Sequence, residues 1–246
     1  GKSIVSAAQG NLKKVSLELG GKSPIIVFDD ANIDEAIEGA AQAIFSNAGQ
    51  VCVAGSRLYV QASVYDRVVS GVADIARKMR VGASTNSKHD MGPLISAKHL
   101  NNVSKMIDQG LAEGGVIIAG GKRLQQGGGY FMEPTVFSNV DRNMSLVKEE
   151  IFGPVLVAMP FNNTEDVVSL ANDSVSGLAA SVWTQDISKA HKTAAAIRAG
   201  LLWVNCHGIP DMAVPFGGYK QSGWGRENGF EALLQYTELK SVIVKL

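Results

Sequence analysis

Residues 24–60 read PIIVFDDANIDEAIEGAAQAIFSNAGQVCVAGSRLYV, and their pattern decides the fold. Pro24 to Phe28 is a short unbroken apolar run, the pattern required of a strand buried on both faces. Asn32 stands where a helix cap belongs, and Asp34 and Glu35 occupy the first turn, where acids are favoured. Ile33, Ala36, Ile37, Ala40, Ala41 and Ile44 then recur at helical spacing and make one stripe for burial. The helix stops near Asn47 to Gly49, and Arg57 to Val60 opens a second apolar strand. Strand, helix, strand within so short a span is the unit of a parallel sheet.

The same alternation extends in both directions. Upstream, Lys2 to Gln9 reads as a helix. Lys14 to Leu19 reads as a strand with Val15, Leu17 and Leu19 on one face and Ser16 and Glu18 on the other, broken by Gly20 and Gly21. Downstream, Ser63 and Asp66 open a helix reaching about Met79, and Ser96 to about Ala112 is another. The strands Val116–Ala119, Phe131–Phe137, Val155–Phe161, Leu178–Trp183 and Leu201–Asn205 follow, with helices at Glu165–Asn172 and Ser188–Ala199. The expected fold class is α/β, a largely parallel twisted sheet with flanking helices, and such sheets place ligands at the carboxyl ends of their strands. Residues 209–228, IPDMAVPFGGYKQSGWGREN, form a long structured loop of the kind that lines a site. The closing stretch ELKSVIVKL, Glu238 to Leu246, reads as a terminal strand seeking a sheet edge in its own or a neighbouring subunit.

Charge and cysteine content narrow the function. Lys plus Arg equal Asp plus Glu at 23 each, so no net field attracts nucleic acid or an anionic membrane, and no apolar run is long enough to span one. Cys52 and Cys206 have neither CxxC spacing nor a disulfide framework, which fits a reduced, cytoplasmic setting. His89, His99, His191 and His207 lack metal-ligand spacing and read as surface or loop residues, so no metal is expected. Cys52 lies in a glycine-flanked loop, where a thiolate can reach a carbonyl carbon and find backbone N–H donors. Taken alone, such a cysteine more often fills space. Glu18 ends its strand on the polar face and can act as a base, as a solvated carboxylate or as a partner for Lys22.

Four motifs occur in order: LELGGKSP at 17–24, GQVCVAGSR at 49–57, EEIFGPV at 149–155 and PFGGYKQSG at 215–223. With them the chain resembles the carboxyl-terminal half of the NAD(P)-dependent aldehyde dehydrogenases from Gly1 to Leu246. The resemblance implies oxidation of a small aldehyde to a carboxylic acid. Cys52 would be the nucleophile and Glu18 the general base for thioester hydrolysis. Glu150 would accept the nicotinamide-ribose hydroxyls, with the Phe152 ring packed beside that end of the cofactor. Glu227 is a candidate for a proton relay. The implied cofactor is NAD, with NADP as the alternative, and the implied assembly is a homodimer or homotetramer.

The resemblance also divides the chain. Residues 1–20 would be a remnant of the dinucleotide-binding domain, 21–221 the catalytic domain, 222–235 a loop and helix returning towards the cofactor domain, and 236–246 a bridging, oligomerising strand. The family's phosphate-binding glycine turn, oxyanion amide and adenosine-ribose lysine would precede LELGGKSP, so the chain alone is expected to be inactive. Val51, Val53, Ile209 and Pro210 are the expected lining of the substrate passage, apolar and without an aromatic cage. Cys206 is expected beside that passage or in packing, not as a dyad with His207. Two other readings use the same residues: a cofactor-independent thiol esterase or acyltransferase, and a structural fragment without catalysis.

Overall fold

The computed structural model describes residues 1–125 and 128–246. The central sheet is built from β1 (Pro24–Val27), β2 (Arg57–Gln61), β3 (Val116–Ala119), β4 (Thr135–Ser138), β5 (Val155–Phe161), β6 (Ala179–Trp183) and β7 (Leu201–Val204). Their order across the sheet is β7-β6-β1-β2-β5-β4-β3. All neighbours run parallel except β3, which lies antiparallel to β4 at one edge. The helices are α1 (Lys2–Ala8), α2 (Ile33–Phe45), α3 (Tyr65–Lys78), α4 (Ala97–Ala112), the single turn α5 (Ser145–Lys148), α6 (Thr164–Asn172), α7 (Ile187–Ala196) and α8 (Gly229–Gln235).

The apolar runs end up where their composition requires. Every residue of β1 is buried, as is all of β2 except Gln61. On α2 the buried face is Ile33, Ala36, Ala40, Ala41, Ile44 and Phe45, with Ile37 at its margin packed against the core. Each Ile or Phe side chain so buried contributes about 1.5–3 kcal/mol, and each alanine methyl about 0.8 kcal/mol. Asn32 occupies the cap position of α2 without a side-chain hydrogen bond, whereas Ser96, Asn163 and Asp186 cap α4, α6 and α7 through their side chains.

Arg57, at the head of β2, is the largest side chain sealed in the core. Its guanidinium donates to the carbonyls of Lys22 (2.8 Å), Leu170 (3.3 Å) and Ala171 (2.9 Å) and to the Tyr59 hydroxyl (3.1 Å). Leu170 and Ala171 lie in the last turn of α6. These last-turn carbonyls carry the helix's negative dipole end, and of the two only that of Leu170 also takes a backbone N–H, from Asp173 (3.3 Å), so a buried cation is well placed there.

Four expectations change in the structure. The strand from Lys14 to Leu19 is reduced to Leu17–Glu18, paired antiparallel with Gly223–Trp224. Phe131–Phe137 is interrupted at Pro134, which has no N–H to give a ladder; Phe131–Met132 pairs with Arg123–Leu124, and β4 begins at Thr135. The helix expected to reach Ala199 ends at Ala196. Glu238–Leu246 forms no strand, because strands exist through pairing and none of the described residues pairs with it; Leu239, Ile243 and Leu246 are fully exposed.

Candidate active site

The segments that enter β1, β2 and β5 meet around Cys52. The site therefore lies at the amino ends of these parallel strands, not at the carboxyl ends that the general rule for such sheets suggests. After α2 the chain reverses through Asn47, Ala48 and Gly49, all left-handed (φ 50, 55 and 70°). A non-glycine residue there costs about 1–2 kcal/mol, and tertiary bonds hold it. The Gln50 amide donates to the carbonyls of Asn47 and Pro93 and accepts the Ile95 N–H. Gly49 lies so close to the Gly153 carbonyl that no Cβ could fit, and this contact brings IFGP against the cysteine loop.

Gly21 closes the other side. A Cβ at this position would sit 2.6 Å from the Cys52 carbonyl oxygen. Its N–H donates to Glu150 Oε1 (3.1 Å), and the same carboxylate covers Gly20. LELGGKSP, the cysteine loop and EEIFGPV are thus joined through glycine backbone. Glu150 is kept above the usual carboxylate range by burial, against the pull of the Gly21 N–H and the Lys22 charge. Phe152 is left-handed (φ 56°) with a partly exposed ring; His99 Nε2 lies 2.7 Å from its carbonyl, to which the ring N–H donates.

Cys52 is a half-buried free thiol. Burial pushes its pKa above the usual thiol value; the N–H groups of Val53 and of Cys52 itself oppose this, while Glu18 and Glu150 add to it. Glu18 is held by its pairing with Gly223 and by the Leu19 N–H to the Ser222 carbonyl (3.0 Å). The fully buried Ser222 hydroxyl donates to Gly20 O (2.7 Å) and accepts the Gly177 N–H (3.0 Å), fixing PFGGYKQSG against LELGG. The Glu18 carboxyl is raised first by desolvation and then by Glu227, with Arg226 opposing. Glu227 thus faces Glu18 electrostatically.

Three readings need correction. Lys22 is not the partner of Glu18: it is 3% exposed, and its Nζ has no hydrogen-bond partner among the described residues. Desolvation and then Arg57 lower it to about 7, with Glu150 and Glu149 opposing. The apolar cavity of about 390 Å³ holds Val53, Ile209 and Pro210 as expected, but Trp203 and Phe216 also line it, so its wall is partly aromatic. Val51 lies elsewhere, in a small crevice with Gly21, Glu150 and Phe152. His207 lies in the loop after β7, as expected, with both of its ring nitrogens bonded inside the fold. Cys206 lines the apolar cavity, and neither nitrogen of His207 is turned to it. Sequence reading missed Lys22, Arg57, Ser222 and His207. Of these, Lys22, Arg57 and Ser222 fall inside quoted motifs, the one signal that was available for them.

Among the described residues no three His, Cys, Asp or Glu side chains gather into a cation site, and no helix is long and apolar enough to cross a membrane. The aldehyde dehydrogenase family model matches residues 1–242. The chain belongs to the aldehyde dehydrogenase family. It is 47% identical over 245 residues to phenylacetaldehyde dehydrogenase of Pseudomonas fluorescens, covering 99% of this chain and 49% of the relative. It is 45% identical over 245 residues to betaine aldehyde dehydrogenase of Bacillus subtilis (strain 168), covering 98% and 50%. The solved NAD+ complex of an aldehyde dehydrogenase from Bacillus cereus matches with a TM-score of 0.98 at 48% identity, covering 100% of this chain and 50% of that one. The chain spans about half the length of the curated relatives it matches.

Proposed function

We propose that this chain is the nucleophile-bearing part of an enzyme that oxidises an apolar aldehyde to its carboxylic acid with NAD+, NADP+ being the alternative. The observation that carries the reading is Gly21, which touches the Cys52 backbone and donates its N–H to Glu150. The Cys52 sulfur, once deprotonated, attacks the aldehyde carbon, and the new oxyanion turns towards backbone N–H groups of the loop. NAD+ supplies the acceptor for the hydride that leaves this adduct as it becomes a thioester. Glu18 then takes a proton from water, hydroxide adds to the thioester, and the acid leaves as the Cys52 thiol reforms. Its raised pKa suits a base working near neutrality.

The residues present fit the dinucleotide. Glu150 makes one hydrogen bond among the described residues, so carboxylate lone pairs remain for ribose hydroxyls, and the Phe152 ring is partly open beside it. The cavity formed by Trp203, Phe216, Ile209 and Pro210 suits aliphatic or aryl aldehydes. Residues 1–20 and 222–235 are read as the face that meets a dinucleotide-binding domain; no residue of α1 or α8 is buried, and Ile4, Leu12, Phe230 and Leu233 are exposed. Residues 236–246, exposed and carrying the apolar run Val242, Ile243 and Val244, are read as the strand that joins subunits into a dimer or tetramer. The test is NADH formation from a small aldehyde in the whole protein. Cys52→Ala should abolish it while Cys206→Ala keeps most of it; equal kcat losses would overturn the assignment.

A further inference from the structure

His207 belongs to none of the four motifs, yet it is tied on three sides. Its Nε2 lies 2.8 Å from the Val53 carbonyl oxygen and its Nδ1 3.0 Å from Ser181 Oγ. A carbonyl only accepts, so the proton sits on Nε2, and Nδ1 is left to accept the Ser181 hydroxyl. Ser181 is completely buried in the middle of β6, where a hydroxyl without a partner would be costly. The third tie is the ring face, 4.8 Å from the Trp203 ring at 42°. Trp203 lines the apolar cavity beside Val53 and fixes its own indole by donating to the Ile209 carbonyl (3.0 Å). Burial keeps His207 below the usual histidine pKa despite the Val53 carbonyl, so the ring is neutral at neutral pH.

Val53 matters because it follows the nucleophile. No donor other than His207 reaches its carbonyl among the described residues. The residue that follows the nucleophile is therefore held at its carbonyl by the imidazole.

We propose that His207 is a positioning residue for Cys52: its imidazole anchors the Val53 carbonyl to Ser181 of the central sheet and so holds in place the residue that follows the nucleophile. The inference rests on Cys52 being the nucleophile. The same ring backs Trp203, so the nucleophile loop and the cavity wall share one support. The competing role is plain space-filling beneath Trp203, and two substitutions separate them. His207→Phe keeps a flat ring against Trp203 and removes both hydrogen bonds. His207→Gln loses the ring but offers an amide N–H to Val53 and an amide oxygen to Ser181.

The experiment measures the rate of carbamidomethylation of Cys52 by iodoacetamide against pH, read by peptide mass spectrometry. It is paired with steady-state kinetics of the whole protein. For His207→Phe the Cys52 rate near neutral pH should fall about tenfold, with its pH profile displaced upward. In turnover kcat should fall on the order of 100-fold, as expected when a reacting group is displaced by about an ångström, with KM for NAD unchanged. His207→Gln should stay within about threefold of the parent in both readouts, a loss smaller than one hydrogen bond is worth. Parent-like His207→Phe, or His207→Gln as impaired as His207→Phe, would overturn the proposal. If His207→Phe fails to fold, Ser181→Ala, which removes only the hydroxyl that ties Nδ1 to the central sheet, should displace the alkylation profile in the same direction, and no displacement would overturn it. Alkylation needs no aldehyde. A displaced profile in a protein that oxidises none refutes the proposed reaction and leaves the positioning role standing, whereas normal turnover by every variant refutes the positioning role alone.

Discussion

Replacing Gly21 with alanine inserts a methyl group at the tightest point of the site. The new Cβ would lie 2.6 Å from the Cys52 carbonyl oxygen, with Leu178 Cβ at 3.2 Å and the Ser23 hydroxyl at 3.4 Å. It would therefore stand roughly 0.8 Å inside ordinary van der Waals contact, against a backbone atom that cannot rotate away. Leu178 blocks retreat on the other side, so the cysteine loop has to move. Overpacking of this kind costs about 1–3 kcal/mol, a fall of several degrees in Tm for a domain of this size. A displacement of the nucleophile approaching 1 Å costs about 100-fold in kcat. KM for NAD should also rise, since the Gly21 N–H that orients Glu150 moves with it. The assay is NADH formation by the whole protein, with a melt and Cys52 alkylation run beside it. A variant with kcat within about twofold of the parent would refute the view that the missing side chain at residue 21 sets the position of Cys52; a lower Tm alone would assign Gly21 to packing.

Glu18→Gln should impair thioester hydrolysis more than acylation, giving a single-turnover burst of NADH and then a very slow steady state in rapid-quench kinetics; absence of both burst and acyl-enzyme would place Glu18 earlier. Because desolvation and Glu227 raise the Glu18 carboxyl, the parent loses deacylation as pH falls through that raised value, and the variant should lack this acid limb. Folding lowers Lys22 from 10.5 to about 7, so the unfolded chain binds the extra proton between those values and stability rises with pH across that window. Lys22→Met should remove the slope and raise stability near neutrality by on the order of 1–4 kcal/mol; a destabilised variant in denaturant titrations would reveal a partner for Nζ. The 246-residue chain by itself should fold yet bind NAD poorly, with Glu150 as its ribose acceptor. Saturable calorimetric binding below about 100 μM would contradict that.

What the sequence made legible is what local pattern controls. The β1 run and the α2 stripe were readable because burial on two faces or one leaves a periodic signature within a few residues. Even the marginal position of Ile37 is a matter of angle on that helix. The break at Pro134 was equally local and still went unread, since the apolar residues on both sides suggested one strand. Glu238–Leu246 forms no strand among the described residues for a different reason: an apolar run identifies a residue pattern able to pair, and pairing needs a neighbour. In the candidate site, Cys52, Glu18, Glu150 and Phe152 were singled out through motif order. His207 carries no such mark, and the motif that holds Lys22 does not reveal its burial, because a buried amine is recognised by what surrounds it and a positioning imidazole by the two atoms it joins, Val53 O and Ser181 Oγ. Placement at the amino ends of the strands was likewise hidden, because it depends on glycine contacts between segments far apart in the chain.

The buried guanidinium of Arg57 has a mechanical meaning. Gly49 is pressed on Gly153 at one end of the nucleophile loop, and Arg57 is bolted to α6 and to the Lys22 carbonyl at the other. Only Gln50 to Ser56 lies between, like a short string over two fixed posts. Such a span has no hinge on which to swing, so the reach of Cys52 towards a substrate comes from its own side-chain rotation and from small peptide tilts within those seven residues. In the proposed reaction the aldehyde is therefore delivered to the sulfur, and the cavity walls, not the cysteine loop, do the searching.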